Sequence, residues 1–230
     1  MTREEFLNQL PILVGGYQPL PEIRARIASL DLVMIVGATG VGKTSIIKRL
    51  GVPFVITDTT RPIRPNEING SDYNFRTDYD QLAKEIKERQ FVQFNIFPTG
   101  DFYGTKASAY PDLGFAVYAV VSNLIDQMRH LGFNETMTAF IVPPTFEEWM
   151  RRIDHVNMER DQLAKRLEEA EQSFKFALHD EETHFILNDE IPSAVRQIKD
   201  LLNGKIDKDR ETLARRAAEL NYGHLIKPTD

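Results

Sequence analysis

The stretch GATGVGKT, from Gly37 to Thr44, constrains the fold of this chain more than any other feature of its sequence. It matches the G-x-x-x-x-G-K-[ST] pattern in full, follows the apolar run DLVMIV and precedes the helical run TSIIKRL. In that context the glycines let successive backbone N–H groups turn toward a polyphosphate, and the helix N-terminus adds its dipole. Lys43 supplies a charge for the β and γ oxygens, and Thr44 a hydroxyl for Mg²⁺. The sequence therefore predicts a nucleoside triphosphate site, and the residues expected to hold the nucleotide are Gly37, Ala38, Thr39, Gly40, Val41, Gly42, Lys43, Thr44 and Ser45.

Strand patterns and helix patterns alternate along the chain. Apolar runs predict strands at residues 31–36, 53–57, 91–97, 115–121, 138–144 and 184–190. Amphipathic spacing predicts helices at residues 78–90, 122–132, 145–153 and 160–178, and two short helices in residues 1–30 around the connector PILVGGYQPLP. A linker and a terminal helix are expected after Asn203. This alternation predicts an α/β fold with a mostly parallel sheet and helices on both faces.

Composition excludes several classes of protein. The formal net charge of −6 argues against a dedicated nucleic-acid binder, and the absence of cysteine excludes disulfides and thiolate metal sites. The longest apolar runs, LVMIV and FAVYAVV, are far shorter than the roughly 20 residues that a membrane-spanning helix needs. The N-terminal MTREEFLNQL lacks the basic start and apolar centre of a signal peptide. We therefore expect a cytoplasmic protein without a nucleic-acid or membrane partner.

The polar stretch TDTTRPIRPNEINGSDYNF, residues 57–75, lacks the composition of a core segment. It places Arg61 and Arg64 three residues apart, and Tyr73 follows nine residues later. Guanidinium groups match the oxygens of a phosphate monoester, and a tyrosine hydroxyl can donate a further hydrogen bond. The N-K-x-D motif by which regulatory GTPases read guanine is absent. These residues predict a second phosphate site in addition to the glycine-rich one.

The sequence resembles the guanylate kinase family over roughly residues 31–202. The family run T-T-R-x-x-R-x-x-E-x-x-G-x-D-Y-x-F stands complete as TTRPIRPNEINGSDYNF. The segments DFYGT, IVPPTFEEWMRRI, KRLEEAEQSF and ILNDE follow in the family's order. The resemblance implies a P-loop three-layer fold with an inserted acceptor-binding subdomain at residues 57–105 and a helical lid at about residues 150–170. It leaves an N-terminal extension at residues 1–30 and a C-terminal extension at residues 203–230.

The resemblance also implies ATP-dependent, Mg²⁺-assisted phosphoryl transfer to a nucleoside monophosphate, by positioning and charge neutralisation. Lys43 and Arg61 would act on the transferring group, with Arg152 and Arg166 closing over it from the lid. Thr44 would hold the metal, and Asn188 would lie near the adenine of ATP. The residues expected to bind the acceptor are Thr57, Arg61, Arg64, Tyr73, Gln93, Tyr103, Thr105 and Ser122. Either a monomer or a homodimer is compatible with the sequence.

Several base-reading positions depart from the family. Gln93 stands where the family has Glu, and Val120 and Ser122 stand where it has two aspartates. Val156 replaces a lid arginine, for which Arg160 is a candidate substitute. A neutral amide offers guanine one acceptor where a carboxylate offers two, although it can pair with adenine. We expect GMP as the acceptor, with AMP or another phosphate ester such as a sugar phosphate, or a catalytically weak binding module, as the alternatives.

Overall fold

The structure is a computed structural model that describes residues 1–65, 67–97, 100–154 and 160–226, the side chain of Arg160 excepted. The chain divides into two compact units. The first unit comprises Met1–Asp31, Pro53–Ala116 and Leu131–Glu135. The second unit comprises Leu32–Val52, Val117–His130 and Thr136–Asp230. The two units are described separately below.

The secondary structure follows the alternation that the sequence predicts. The helices of the described residues are α1 (Arg3–Val14), α2 (Pro21–Ile27), α3 (Lys43–Leu50), α4 (Tyr79–Lys87), α5 (Ile125–Arg129), α6 (Phe146–Asp154), α7 (Arg160–His179), α8 (Ile191–Leu202) and α9 (Lys208–Leu225). The strands are β1 (Leu30–Val36), β2 (Asp58–Thr59), β3 (Asn74–Phe75), β4 (Phe91–Ile96), β5 (Phe102–Lys106), β6 (Gly114–Ala119), β7 (Glu135–Val142) and β8 (Thr183–Leu187). Short 3₁₀ turns occupy Ala107–Ala109 and Ser122–Leu124.

The sheet of the second unit carries the glycine-rich loop. Its strand order is β6-β1-β7-β8, so β1 lies in the interior between two neighbours. Strands β7 and β8 run parallel from Thr138 opposite Thr183 to Val142 opposite Leu187. Residues 32–36 of β1 are fully buried, as expected for a strand that is covered on both faces. The predicted α/β class with a mostly parallel sheet is confirmed.

The sheet of the first unit carries the polar stretch. Its strand order is β3-β2-β5-β4, with β2 parallel to β3 and antiparallel to β5, and with β4 antiparallel to β5. Helices α1 and α4 pack together over this sheet around an aromatic core. That core contains Phe6 and Leu10 of α1 and Phe91 and Phe102 of the sheet. Residues 1–14, which the sequence marks as an extension, therefore complete the core of this unit.

A network of buried charges fixes the strands of the first unit. Arg76 donates to Asp58 and, at 2.8 Å, to Glu85. Lys106 donates to the other oxygen of Glu85 at 3.1 Å. Asp58 follows Thr57 in the chain and Lys106 follows Thr105, so the network anchors the backbone beside two predicted acceptor residues. A buried carboxylate needs such partners, since an unpaired one would cost several kcal/mol.

Two local predictions are wrong. The strand expected at residues 53–57 is a single β-bridge at Phe54, and the paired segment is instead Asp58–Thr59. Helix α1 continues through Pro11 to Val14, where a Pro-broken connector was expected. Proline removes one helical hydrogen bond, but the burial of Phe6 and Leu10 and the capping box of Thr2 with Glu5 stabilise the helix around it. Helix α4 begins after Asp78, whose side chain caps the helix by accepting from the Gln81 N–H.

Candidate active site

The glycine-rich loop lies between β1 and α3 with a backbone that only glycine adopts readily. Gly40 and Gly42 have φ values of 82° and 97°, in the left-handed region. A Cβ at Gly40 would lie 2.7 Å from a side-chain carbon of Ile153, and one at Gly42 would lie 2.5 Å from the Asn188 amide nitrogen. Both glycines are therefore required by conformation and by space. Because the Ile153 and Asn188 side chains pack against these glycines, a ligand has room only on the side of the loop that faces away from them.

Lys43 begins α3, and its side chain folds back over the loop. Its Nζ donates to the carbonyl oxygen of Gly37 and, at 2.8 Å, to that of Ala38. Burial among protein atoms lowers the pKa of Lys43 to about 8, and the positive charge of Arg166 lowers it further in the same direction. Within residues 1–65, 67–97, 100–154 and 160–226, no carboxylate forms an ion pair with this ammonium group. A polyphosphate would supply a negative partner.

Helix α6 supports the loop from the protein side. The indole N–H of Trp149 donates to the Thr39 carbonyl oxygen at 2.8 Å, and the ring is fully buried. Thr145 begins the helix, because its hydroxyl accepts from the Glu148 N–H at 3.2 Å. No local pattern in the sequence indicates this hydrogen bond of Trp149 to a loop residue more than 100 positions away.

A cavity of about 300 Å³ opens at the loop. Its walls are formed by Gly40, Gly42, Ser45, Arg152, Asn188, Asp189 and Ile191. The structure thus brings the predicted donor residues Arg152 and Asn188 to the glycine-rich loop. Ser45 and Thr44 are exposed at the start of α3.

Two residues that line this cavity each have a buried polar atom without a hydrogen-bond partner among the residues that the structure describes. The Asn188 amide donates to the Val41 carbonyl oxygen at 2.6 Å, while its Oδ1 accepts no hydrogen bond. Arg152 donates through Nε to Glu148 at 2.8 Å and through Nη2 to the Asn188 carbonyl oxygen at 3.0 Å, while its Nη1 is unsatisfied. Buried groups of this kind are normally paired, and an unpaired one costs about 1–3 kcal/mol. Both therefore fit a polar ligand in the cavity.

Arg166 and the lid positions 156 and 160 are the remaining positions that the sequence analysis connects with the ATP site. Arg166 lies on α7, donates to Glu169 at 2.6 Å and contributes to the low pKa of Lys43. In the part of the chain that the structure describes, no cluster of three or more acidic or histidine side chains is arranged to hold a metal. Val156 and the side chain of Arg160 lie outside what is described.

Arg61 in the first unit is held by a carboxylate. Its Nη1 and Nη2 donate to the two oxygens of Glu67 at 2.8 and 2.6 Å, and Nη1 also donates to the Pro62 carbonyl oxygen at 2.9 Å. Partial burial works against the charge of Glu67, but Arg61 and the Arg64 backbone N–H hold the pKa of that carboxyl below its usual value. The Nε–H and one N–H of Nη2 bind neither Glu67 nor Pro62, and they form the side-on edge of the guanidinium, which also has the Tyr73 side chain as a hydrogen-bond neighbour. That edge can still bind a phosphate in a bidentate manner.

Aromatic rings surround the same guanidinium. The Arg61 Cζ lies 4.8 Å from the Tyr73 ring centroid and 5.2 Å from that of Phe75. Tyr73 packs edge-to-face on Tyr103 at 6.2 Å. Arg64 is exposed, and its guanidinium has no hydrogen-bond partner among the described residues. The structure therefore brings Arg61, Tyr73 and Tyr103 together, with Arg64 on the adjoining surface.

The predicted base-reading residues form a polar row on β4 and β5. Gln93 lies opposite Thr105 and donates to its hydroxyl at 3.3 Å. Thr105 in turn shares a hydrogen bond with the Tyr110 hydroxyl at 2.9 Å. Asn95, which the sequence analysis did not identify, donates through its side-chain amide to the side-chain oxygen Oε1 of Gln93 at 3.1 Å. Its position two residues after Gln93, on the same face of the strand, is the signal that could have identified it.

Thr57 and Ser122 lie in different units. Thr57 is buried in the first unit, and its carbonyl oxygen accepts from the Asn74 N–H at 2.9 Å. Ser122 follows β6 in the second unit, next to the buried Val120. The structure therefore groups Thr57 with the unit of Gln93 and Thr105, and it groups Ser122 with the unit that contains the glycine-rich loop.

The fold and these groups define an enzyme of the P-loop nucleoside monophosphate kinase class. The sequence model of the family described as "Guanylate kinase" matches residues 29–205. The chain is 30% identical to a guanylate kinase of Nostoc over 184 residues, which cover 75% of this chain and 89% of that protein. It is 30% identical to a guanylate kinase of Psychrobacter arcticus over 202 residues, 80% of this chain and 89% of that one. The chain belongs to the guanylate kinase family.

A solved structure supports the same fold. The crystal structure of guanylate kinase from Anaplasma phagocytophilum superposes with a TM-score of 0.54 at 20% identity. The superposition covers 79% of this chain and 89% of that one. Among the residues described here, no helix is both long enough and apolar enough to cross a membrane.

Proposed function

We propose that the protein transfers the terminal phosphoryl group of ATP to GMP. The observation that carries the proposal is the cavity at the glycine-rich loop, where the orphaned Arg152 Nη1 and Asn188 Oδ1 accompany an ammonium group without a counter-charge. A nucleoside triphosphate satisfies all three groups at once. Membership of the guanylate kinase family supports GMP as the acceptor.

Each group has a role that its chemistry allows. The Lys43 ammonium group would donate to phosphate oxygens in place of the two loop carbonyl oxygens. Nη1 of Arg152, which has no partner in the structure, would donate to the same ligand. Thr44 would hold Mg²⁺, which when bound neutralises charge on the phosphate oxygens. Arg166 on α7 would add positive charge as the lid closes and water is excluded.

The acceptor would bind in the first unit. The side-on edge of Arg61, fixed by Glu67 and the Tyr73 ring, would bind two phosphate oxygens, and Tyr73, Tyr103 and Arg64 would donate to the others. Because Glu67 already fixes the guanidinium, little side-chain entropy is lost when the phosphate binds. Thr57, Gln93 and Thr105, all in this unit, would contact the base or sugar.

Gln93 makes AMP the second candidate acceptor. Its carbonyl oxygen already accepts from Asn95, so one acceptor atom serves both that amide and an incoming purine. Guanine presents two adjacent donor groups to such a position, and adenine presents one donor and one acceptor. A monomer or homodimer in the cytoplasm remains our expectation from the sequence.

The test is ADP release from ATP and Mg²⁺ by the purified full chain, with GMP, dGMP, AMP, IMP and ribose 5-phosphate as acceptors. We expect kcat/KM for GMP to exceed that for AMP by about tenfold or more, as a site that hydrogen-bonds its substrate rejects mismatched analogues strongly. K43M should abolish transfer, and K48M, on the exposed side of the same helix, should retain it. Preference for AMP or ribose 5-phosphate, or no transfer to any acceptor, contradicts the proposal.

A further inference from the structure

Helix α9 belongs to the nucleotide-binding unit although it lies beyond the residues that the family model matches. The match ends at residue 205, and α9 spans Lys208–Leu225. The helix packs against β8 and α7 through a buried face of small residues, Ala214, Ala217, Ala218 and Asn221. Small side chains allow this close approach. What the sequence marks as an extension therefore contributes side chains to the second unit.

The first turn of α9 directs an arginine at the wall of the nucleotide cavity. Nη2 of Arg210 lies 2.8 and 2.9 Å from the two carboxylate oxygens of Asp189, and 2.8 Å from the Ser193 hydroxyl. Asp189 also accepts from the Glu190 backbone N–H at 2.9 Å. Asp189 follows Asn188 directly, and both line the cavity of about 300 Å³.

A carboxylate at this position creates an electrostatic problem for an anionic ligand. Partial burial opposes the charge of Asp189, but the hydrogen bond from Arg210 and the adjacent backbone amides hold the pKa of Asp189 below its usual value. Asp189 is therefore ionised at neutral pH, on the wall of a site that has to accept a polyphosphate. Without a counter-charge it would repel the phosphates of the nucleotide.

We propose that Arg210 is a positioning residue of the donor site, which fixes and neutralises Asp189 so that the cavity accepts an anionic nucleotide. The inference rests on the proposed function, because it requires a nucleoside triphosphate at the glycine-rich loop. It assigns a part in donor affinity to α9, which lies beyond the matched family segment. The acceptor site in the first unit has no role in it.

The test measures ATP binding by calorimetry without an acceptor, for the full chain and its variants. At about 50 mM salt we expect R210Q to raise the Kd for ATP about fivefold, and at about 500 mM salt most of this loss should disappear because the charges are screened. D189N/R210Q should return to within about twofold of the wild type, since the repelling charge is gone. R210K, which keeps the charge, should bind ATP nearly as the wild type does. R216Q, an exposed arginine of the same helix, is the matched control and should change nothing.

Other outcomes overturn the proposal. A loss in R210Q that D189N does not rescue, that salt does not reduce, or that R210K shares in full indicates a structural role only. An R210Q protein that fails to fold also contradicts the proposal, since it assigns the pair to binding rather than to stability. A wild type that binds ATP but phosphorylates no acceptor refutes the proposed function and leaves this inference intact. A wild type that does not bind ATP refutes both.

Discussion

Raising the pH should weaken ATP binding through one group, the Lys43 ammonium. In the structure this group contacts only loop carbonyl oxygens, and burial, aided by the charge of Arg166, lowers its pKa to about 8. The phosphates of ATP would supply opposite charge and raise that pKa again on binding. Binding above pH 8 should therefore require uptake of a proton.

The size of the effect follows from the fraction of protein that is protonated before ATP binds. With a pKa of about 8, this fraction is about 0.9 at pH 7 and about 0.1 at pH 9. Apparent affinity scales with the competent fraction, so the Kd for ATP should rise about tenfold between these two pH values. The sign is fixed, because a lysine whose pKa is lowered in the free protein loses its proton as the pH rises through that pKa. Nearly one proton, about 0.9, should be taken up per ATP at pH 9.

Calorimetry between pH 6.5 and 9.5, in pairs of buffers with different ionisation enthalpies, measures both quantities. K43R is the control, since a guanidinium does not titrate in this range, and its Kd should be independent of pH. R166Q should shift the rise in Kd to higher pH, because it removes a repelling charge from Lys43. A Kd for ATP that stays constant from pH 7 to 9 in the wild type, or a rise that persists in K43R, refutes the reasoning.

Three further substitutions test individual side chains: Trp149 beside the glycine-rich loop, Gln93 in base selection and Tyr17 beside β4. W149F keeps an aromatic ring but removes the indole N–H that donates to the Thr39 carbonyl oxygen, and it leaves a cavity in the core, so urea unfolding should show a loss of at least about 1–2 kcal/mol, and the Kd for ATP should rise. An unchanged Kd for ATP would show that the hydrogen bond from α6 to the loop does not contribute to nucleotide binding. Q93E adds a second acceptor for guanine and should raise the GMP-to-AMP ratio of kcat/KM by about tenfold, whereas an unchanged ratio removes Gln93 from base reading. Y17F removes a hydroxyl that donates to the Phe91 carbonyl oxygen and accepts from its N–H at 2.7 and 2.9 Å, and should cost about 1–3 kcal/mol in urea. No change in the midpoint would contradict the role of Tyr17 in anchoring β4.

The glycine-rich loop could be predicted from sequence because its chemistry is local. Strand, turn, Lys43 and helix are consecutive, so their geometry follows from backbone conformation alone. Asn188 and Arg152 are distant in sequence, and only the family pattern placed them at the loop, where the structure finds them in one cavity. The strand at Asp58–Thr59 was missed because the aromatic and β-branched residues at 54–57 favour a strand locally, whereas the pairing with β3 and β5 decides which residues form it.

Long-range pairs could not be predicted in the same way. The contact of Arg210 with Asp189 joins residues on separate elements of the second unit, and nothing in the spacing of charges on α9 distinguishes Arg210 from the exposed Arg216. The support of β4 by Tyr17 likewise depends on where the connector after α1 runs. Such contacts form only when the tertiary structure brings their elements together, so they cannot be predicted from composition and periodicity.

The pairing of Arg61 with Glu67 shows how a motif can specify an orientation as well as a ligand. Read as isolated letters, the arginine of TTRPIRPNE predicts a free guanidinium for phosphate. In the structure the glutamate six residues later occupies the end-on edge of that guanidinium, and the Tyr73 ring lies over its face. Of the five N–H donors, the two that remain share one edge. The carboxylate therefore leaves Arg61 with a single direction from which a phosphate can be bound in a bidentate manner, and this directional selection is a physical reason for a glutamate at that position of the motif.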